Sequence, residues 1–322
     1  MTLRNPHFPD LLFDAAARLR SWETALLGLL SARGYRELRP SLVLREPMAA
    51  SAVRFFDQDA LVGLRWDFTE GLARLLASRF PEPPPRVAYA GAVFRKSAAA
   101  WEPVERFEVG CERLQPEGED AAEADLELAR LLMAVPAAVG LRRSLLHLGD
   151  AALWRRPLEA EGIPAPLAEA ATAALHQRAA HRVREALGDH PAADRIAAHA
   201  ALLCAEPDGL AGLEALGASP YAALVAADRD RLAERFKALQ PLLPEGLDLR
   251  LDLADVADLA FYTGPTLRLW APGATAALAA GGRYDRLYPE LGRPWLAAGF
   301  CVRLSALLDL AEARPDLFRR LP

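Results

Sequence analysis

Between residues 257 and 287 two segments of unlike chemistry stand close together, and this stretch restricts the fold more than any other. Alternation over Thr266–Trp270, with Leu267 and Leu269 on one side, has the period of a half-buried β-strand, and Ala271-Pro-Gly273 closes it as a turn. Tyr262 and Thr263 then lie at the strand's entry. Gly281 and Gly282 let the backbone approach another group closely, and they deliver Arg283, Tyr284 and Asp285 to the same neighbourhood. A Gly-Gly pair alone usually marks an ordinary turn. The combination of both segments is much less common.

Upstream, Ser21–Arg33 sets Ala25, Leu26, Leu29 and Leu30 on a helical stripe with Gly34 as its stop, and Tyr35–Pro40 alternates as a strand that proline closes. Leu64–Thr69 precedes a second stripe of Leu72, Leu75 and Leu76. Thr69 is placed to cap that helix and Asp67 lies near its positive end; the other reading of both is as polar groups aimed into a pocket. Pro81–Pro85 is a stiff connector. Beyond it Arg86–Arg95 and Val104–Leu114 read as an antiparallel hairpin with a long polar connection. Glu108 and Glu112 suit a strand surface one at a time, but four residues apart they share a face and together suit both nitrogens of a cationic ring. Glu117–Val139 is an amphipathic helix, residues 150–243 are helical in pattern, and Leu247–Leu253 alternates again. His176, His181, His190 and His199 lack metal-ligand spacing and read as surface or packing residues.

Tyr262-Thr-Gly264 followed by Gly281-Gly-Arg-Tyr-Asp285 resembles the histidine-binding signature and glycine-rich segment of histidyl-tRNA synthetase, a class II aminoacyl-tRNA synthetase. The helix, Gly34, strand and Pro40 are similar to the first class II motif, which builds a dimer interface. The hairpin is similar to the second, with Arg95 at the arginine that clamps the α-phosphate and substrate carboxylate. The resemblance implies an α+β fold with a class II aminoacyl-tRNA synthetase-like core: a mostly antiparallel sheet flanked by helices. It implies a single domain over residues 1–322, with a helical insertion subdomain at 150–243 and no anticodon-binding domain. It also implies a histidine pocket. Asp67 and Thr69 would hold the ammonium, Arg95 the carboxylate, Glu108 and Glu112 the imidazole nitrogens, and Tyr262 with Thr263 the ring or carboxylate, supported by Arg283 and Tyr284.

Two departures decide the expected function. Ala257 stands where the synthetases keep an arginine at the reacting carboxylate, and Ser305-Ala306 replaces a Glu-Arg pair whose arginine binds the γ-phosphate, with Arg303 expected to face elsewhere. Loss of one fixed donor to developing charge typically costs roughly 100- to 1000-fold. This profile resembles the synthetase paralogues that serve as regulatory subunits of ATP phosphoribosyltransferase, the first enzyme of histidine biosynthesis. The resemblance implies no catalytic residues, cofactor or metal of the chain's own, a short catalytic subunit as partner, histidine as allosteric ligand, and a self-dimer. Activation and feedback inhibition would be its work. The alternatives are a truncated synthetase-like adenylating enzyme using Arg95 and Arg283, or a free-standing histidine-binding protein. Charge speaks against tRNA: 38 Lys plus Arg stand against 43 Asp plus Glu, a net of −5, with no basic stripe. No apolar run approaches the roughly 18 residues of a membrane span and the N-terminus lacks a signal pattern, which reads as cytoplasmic. Cys111, Cys204 and Cys301 read as buried reduced thiols.

Overall fold

Trp22, Leu26 and Leu30 recur every fourth residue of helix α1 (Phe13–Ser31), so one stripe is buried, and the Trp22 indole N–H donates to the Val139 carbonyl at 2.9 Å. The computed structural model describes residues 10–45, 52–96, 103–205, 209–256 and 262–319. After α1 come the short β1 (Arg36–Glu37) and a set of strands that alternation had not disclosed: β2 (Val43–Leu44), β3 (Arg54–Asp57) and β4 (Ala60–Leu64). They form a separate sheet in the order β2-β4-β3. Helix α2 (Thr69–Arg79) leads to the long hairpin β5 (Arg86–Phe94) and β6 (Glu105–Pro116), then to α3 (Ala122–Ala138) and β7 (Ser144–Asp150).

A run of helices follows: α4 (Ala152–Ala160), α5 (Ala165–His176), α6 (Ala180–Leu187), α7 (Ala193–Cys204), α8 (Ala211–Ala215) and α9 (Ala222–Leu239). Within it His199 is fully buried, one ring nitrogen 2.8 Å from Ser219 Oγ and the other 2.8 Å from the Leu153 carbonyl. Its place is in the packing. The chain then returns through β8 (Leu247–Leu251), β9 (Pro265–Trp270), β10 (Ala279–Arg283), α10 (Leu287–Glu290), β11 (Trp295–Arg303) and α11 (Leu304–Ala313).

The main sheet has the order β1-β5-β6-β11-β10-β9-β7-β8. Its interior is antiparallel throughout, and the parallel pairs β1/β5 and β7/β8 lie at the two edges. Helices α1, α3 and α11 cover one face. Strand β9 corrects the half-buried expectation, because Pro265 to Leu269 are all buried. Thr266 and Arg268 look like a solvent face in sequence, but they turn toward a polar interior, where Arg268 Nε lies 2.6 Å from Asp255. Among the described residues no helix is long and apolar enough to cross a membrane. Cys111 is buried, while Cys204 and Cys301 are only partly so.

Candidate functional site

The face of the sheet opposite α1 and α3 carries the candidate site. Cross-strand partners share a face, so the pairings Val87↔Glu112, Glu112↔Gly299, Gly299↔Gly282 and Gly282↔Thr266 place one row of residues across five strands. Two steps along β6, Glu108 joins the same face opposite Gly91 and Arg303. The two acids are both 2 % exposed. The i, i+4 reading of Glu108 and Glu112 therefore describes their geometry. Arg303, expected to face elsewhere, lies opposite Glu108 and donates to the Ala277 carbonyl at 3.4 Å.

Glycines make room on this floor. A Cβ on Gly299 would sit 2.0 Å from Glu112 Oε2, and one on Gly282 would sit 3.0 Å from the Tyr262 ring, so the carboxylate and the phenol lie directly against the backbone. Glu112 Oε1 accepts from the Thr69 hydroxyl at 3.2 Å and the Tyr89 hydroxyl at 3.4 Å. Its Oε2 is buried with no hydrogen-bond partner among the described residues. Arg95 donates from Nε to the Trp66 carbonyl at 2.6 Å and spans two acids, Asp67 at 3.3 Å and Glu108 at 3.4 Å.

Three carboxyls, Asp67, Glu108 and Glu112, thus gather here, and among the described residues Arg95 pairs with the first two but not with Glu112. Burial drives the Glu112 carboxyl well above the ordinary range, with Asp67 adding repulsion and the Thr69 and Tyr89 hydroxyls opposing it. Burial raises Glu108 too, against the pull of Arg95. Among the described residues the site thus holds an acceptor, Glu112 Oε2, that no donor meets. A ligand bringing N–H groups and positive charge would satisfy it.

The helix cap is resolved differently from the first of the two sequence readings. Thr69 is the first residue of α2 and spends its hydroxyl on Glu112, whereas Asp67 Oδ1 accepts from the Glu70 N–H at 3.2 Å. Three other expected residues stand apart from the acids. Arg283 turns to the α3 face, where it meets Asp125 at 2.7 Å and Asp285 at 2.9 Å. Thr263 is engaged in main-chain support: its N–H donates to the Arg283 carbonyl, its hydroxyl accepts from the Asp285 N–H, and its carbonyl accepts from Arg155. Tyr284 packs with Tyr262, Tyr288 and Trp295 beneath the site. Ala257 lies outside the described residues. Tyr89, which reaches Glu112 while stacking on Phe68 at 4.3 Å, was not singled out in the sequence, nor was Gly299. Among the described residues no group of His, Cys, Asp and Glu has the arrangement of a metal site.

The sequence model of the histidyl-tRNA synthetase family matches residues 7–307. An ATP phosphoribosyltransferase regulatory subunit from Anaeromyxobacter dehalogenans is 35% identical over 319 residues, covering 94% of this chain and 89% of that protein. Among solved structures, a histidine–tRNA ligase subunit from Alicyclobacillus acidocaldarius is 30% identical with a TM-score of 0.77 and covers 98% of both chains. An ATP phosphoribosyl transferase complex from Thermotoga maritima includes a chain 17% identical with a TM-score of 0.68, covering 89% of this chain and 97% of that one. That last likeness concerns the fold.

Proposed function

The chain belongs to the histidyl-tRNA synthetase family and, within it, to the ATP phosphoribosyltransferase regulatory subunits, and from that premise we propose that it senses free histidine for a short catalytic partner. The observation that carries the proposal is the buried Oε2 of Glu112, without a hydrogen-bond partner among the described residues and lying over Gly299, with Asp67, Glu108 and Arg95 around it. Leaving such an acceptor unmet costs roughly 1–3 kcal/mol, which a donating ligand recovers. An imidazolium offers two N–H donors and a charge that returns Glu112 to its ionised form, and an α-ammonium suits Asp67 beside Thr69. Amino acids whose rings carry no nitrogen would leave the acids unpaired and be rejected. Tyr262 forms the aromatic wall, and Arg95 exchanges a carboxylate of the protein for that of the ligand.

In this reading the subunit activates the catalytic chain when the pocket is empty and transmits inhibition when histidine fills it. It has no chemistry of its own. The test is made on the reconstituted complex: the purified chain co-elutes with a short-form ATP phosphoribosyltransferase, raises its turnover, and makes it histidine-sensitive. Alone, the chain exchanges no pyrophosphate into ATP with histidine present. Robust exchange, or a partner enzyme indifferent to the chain and to histidine, would reject the proposal.

Self-association fits the small sheet. Phe56 is 73 % exposed, and its cross-strand partner Leu61, on the same face of β3 and β4, is 44 % exposed. This apolar surface on a short, solvent-facing sheet supports a homodimer across it. Phe56→Asp is expected to convert the dimer to monomer in sedimentation experiments while leaving the melting profile of the monomer two-state. A dimer of unchanged stability in the variant would place the interface elsewhere.

A further inference from the structure

At the far edge of the same sheet face, five inter-strand spacings and so about 24 Å from Glu112, β7 and β8 meet the inserted helices around a second cavity. It measures about 340 Å³ and is lined by His147, Arg178, Arg250 and Asp252, with Leu203 and Leu253 among its apolar walls. His147 and Arg250 are cross-strand partners on the parallel pair, so both side chains leave the sheet on one face. Asp252 anchors the group: its Oδ2 lies 3.2 Å from His147 Nδ1 and 2.5 Å from Arg178. The Arg250 guanidinium is in no ion pair or hydrogen bond among the described residues.

Arg178 is the independent observation. It follows α5 at a φ of +54°, with its N–H donating to the Leu175 carbonyl and the Ala179 N–H donating to the Ala174 carbonyl. Glycine terminates such helices without strain, and a bulky side chain there is disfavoured. The chain nevertheless spends arginine at this position and directs it into the cavity. Among the described residues of the lining one carboxylate faces two guanidiniums and an imidazole, an excess of cationic donors, and the cavity's size is at the lower end of ligand pockets. Two guanidinium forks converging on one space match the oxygens of a phosphate better than a single carboxylate does.

We propose that this cavity binds a small phosphate monoester, its phosphate between Arg178 and Arg250 with His147 alongside and its organic part against Leu203 and Leu253. The site is separate from the histidine pocket and gives the subunit a second ligand.

Calorimetric titration of the full chain with inorganic phosphate, against sodium chloride and sodium acetate at matched ionic strength, tests it. Saturable binding is expected for phosphate alone, weakened about tenfold or more by Arg250→Ala and by Arg178→Gly. Arg250 is exposed on an edge strand, so its removal leaves the fold intact; Arg178→Gly relieves the strained backbone but gives up the pair with buried Asp252, so its binding is read only after a melt shows it folded, and Arg250→Ala carries the test otherwise. Histidine binding is the control and stays unchanged in both. The proposal is overturned if phosphate gives no saturable heat, if acetate matches it, or if both variants bind phosphate like the wild type; in the last case Arg178 serves only to fasten the helices to β8.

Discussion

Glu112→Gln is expected to raise the melting temperature of the ligand-free protein and to weaken histidine binding by roughly 30-fold to more than 1000-fold, the cost of about 2–5 kcal/mol for removing one partner of a buried, hydrogen-bonded charge pair. The two effects share one cause. In the empty pocket burial, and then the charge of Asp67, favour the protonated Glu112 carboxyl, so its folded pKa stands well above its unfolded value near 4.3. A carboxyl shifted this way favours the folded state at low pH, and its contribution is lost as pH rises from the unfolded value toward the folded one. Asp150 and Asp255, pushed up to about 7 and about 6 chiefly by burial, tilt the profile the same way, so only the difference between wild type and variant isolates Glu112. The variant should lose less stability than the wild type between pH 5 and 7. Glutamine keeps the shape and the contacts to Thr69 and Tyr89, whereas Glu112→Ala would add a cavity. Calorimetry beside thermal melts over that pH range decides it: a variant that melts lower when empty yet keeps its histidine affinity would dismiss the charged-pocket account.

Gly299→Ala should be the most damaging single methyl in the site. The new Cβ would lie 2.0 Å from Glu112 Oε2 and 2.4 Å from the Cys111 carbonyl oxygen. The carboxylate can swing away, but the carbonyl belongs to β6, which is paired with β11 along its length. A loss of roughly 1–3 kcal/mol in stability is expected from such overpacking, with histidine binding reduced below detection in millimolar titrations because Glu112 is displaced. Gly281→Ala is the matched control. Its Cβ would crowd the Gly299 carbonyl oxygen and Phe300 Cβ, each at 2.4 Å, on the α3 side of the sheet. It should cost similar stability in denaturant titrations while the folded protein binds histidine normally. Equal affinity in both variants would show that the glycine floor has no part in binding.

The legible parts of the sequence were those where one local period determines geometry. Two acids four apart on a strand must share a face, and Glu108 and Glu112 do. The helical stripe through Leu26 and Leu30, the β5–β6 hairpin and the turn at Gly273 were readable for the same reason. Face, however, is fixed by partners far away in sequence. Nothing in Gly-Gly-Arg-Tyr-Asp reveals that Arg283 shares its side of the sheet with Asp125, a residue of α3 that precedes it by 158 positions. Alternation in Thr266–Trp270 distinguishes polar from apolar neighbours, but it does not distinguish water from a buried polar site. The three strands between Val43 and Leu64 were missed because strands of two to five residues with exposed phenylalanines carry no clear period. Motif likeness singled out the residues, and long-range register sorted them onto the two faces of the sheet.

The parallel pairing of β7 with β8 across the whole helical insertion also orders events in time. Strand β8 cannot dock until residues 151–246 have brought its two ends together, and closing so long a loop as flexible chain would cost roughly 4 kcal/mol before any contact repaid it. The helices α4 to α9 have mostly local contacts and a buried centre around His199, so they can form first and shorten that search. Tyr262 enters only after β8, immediately before β9. Tyr262 and the strands β9 to β11 that follow it, with Gly282 and Gly299, therefore come from the last segment of the folding chain, and the candidate site is assembled late.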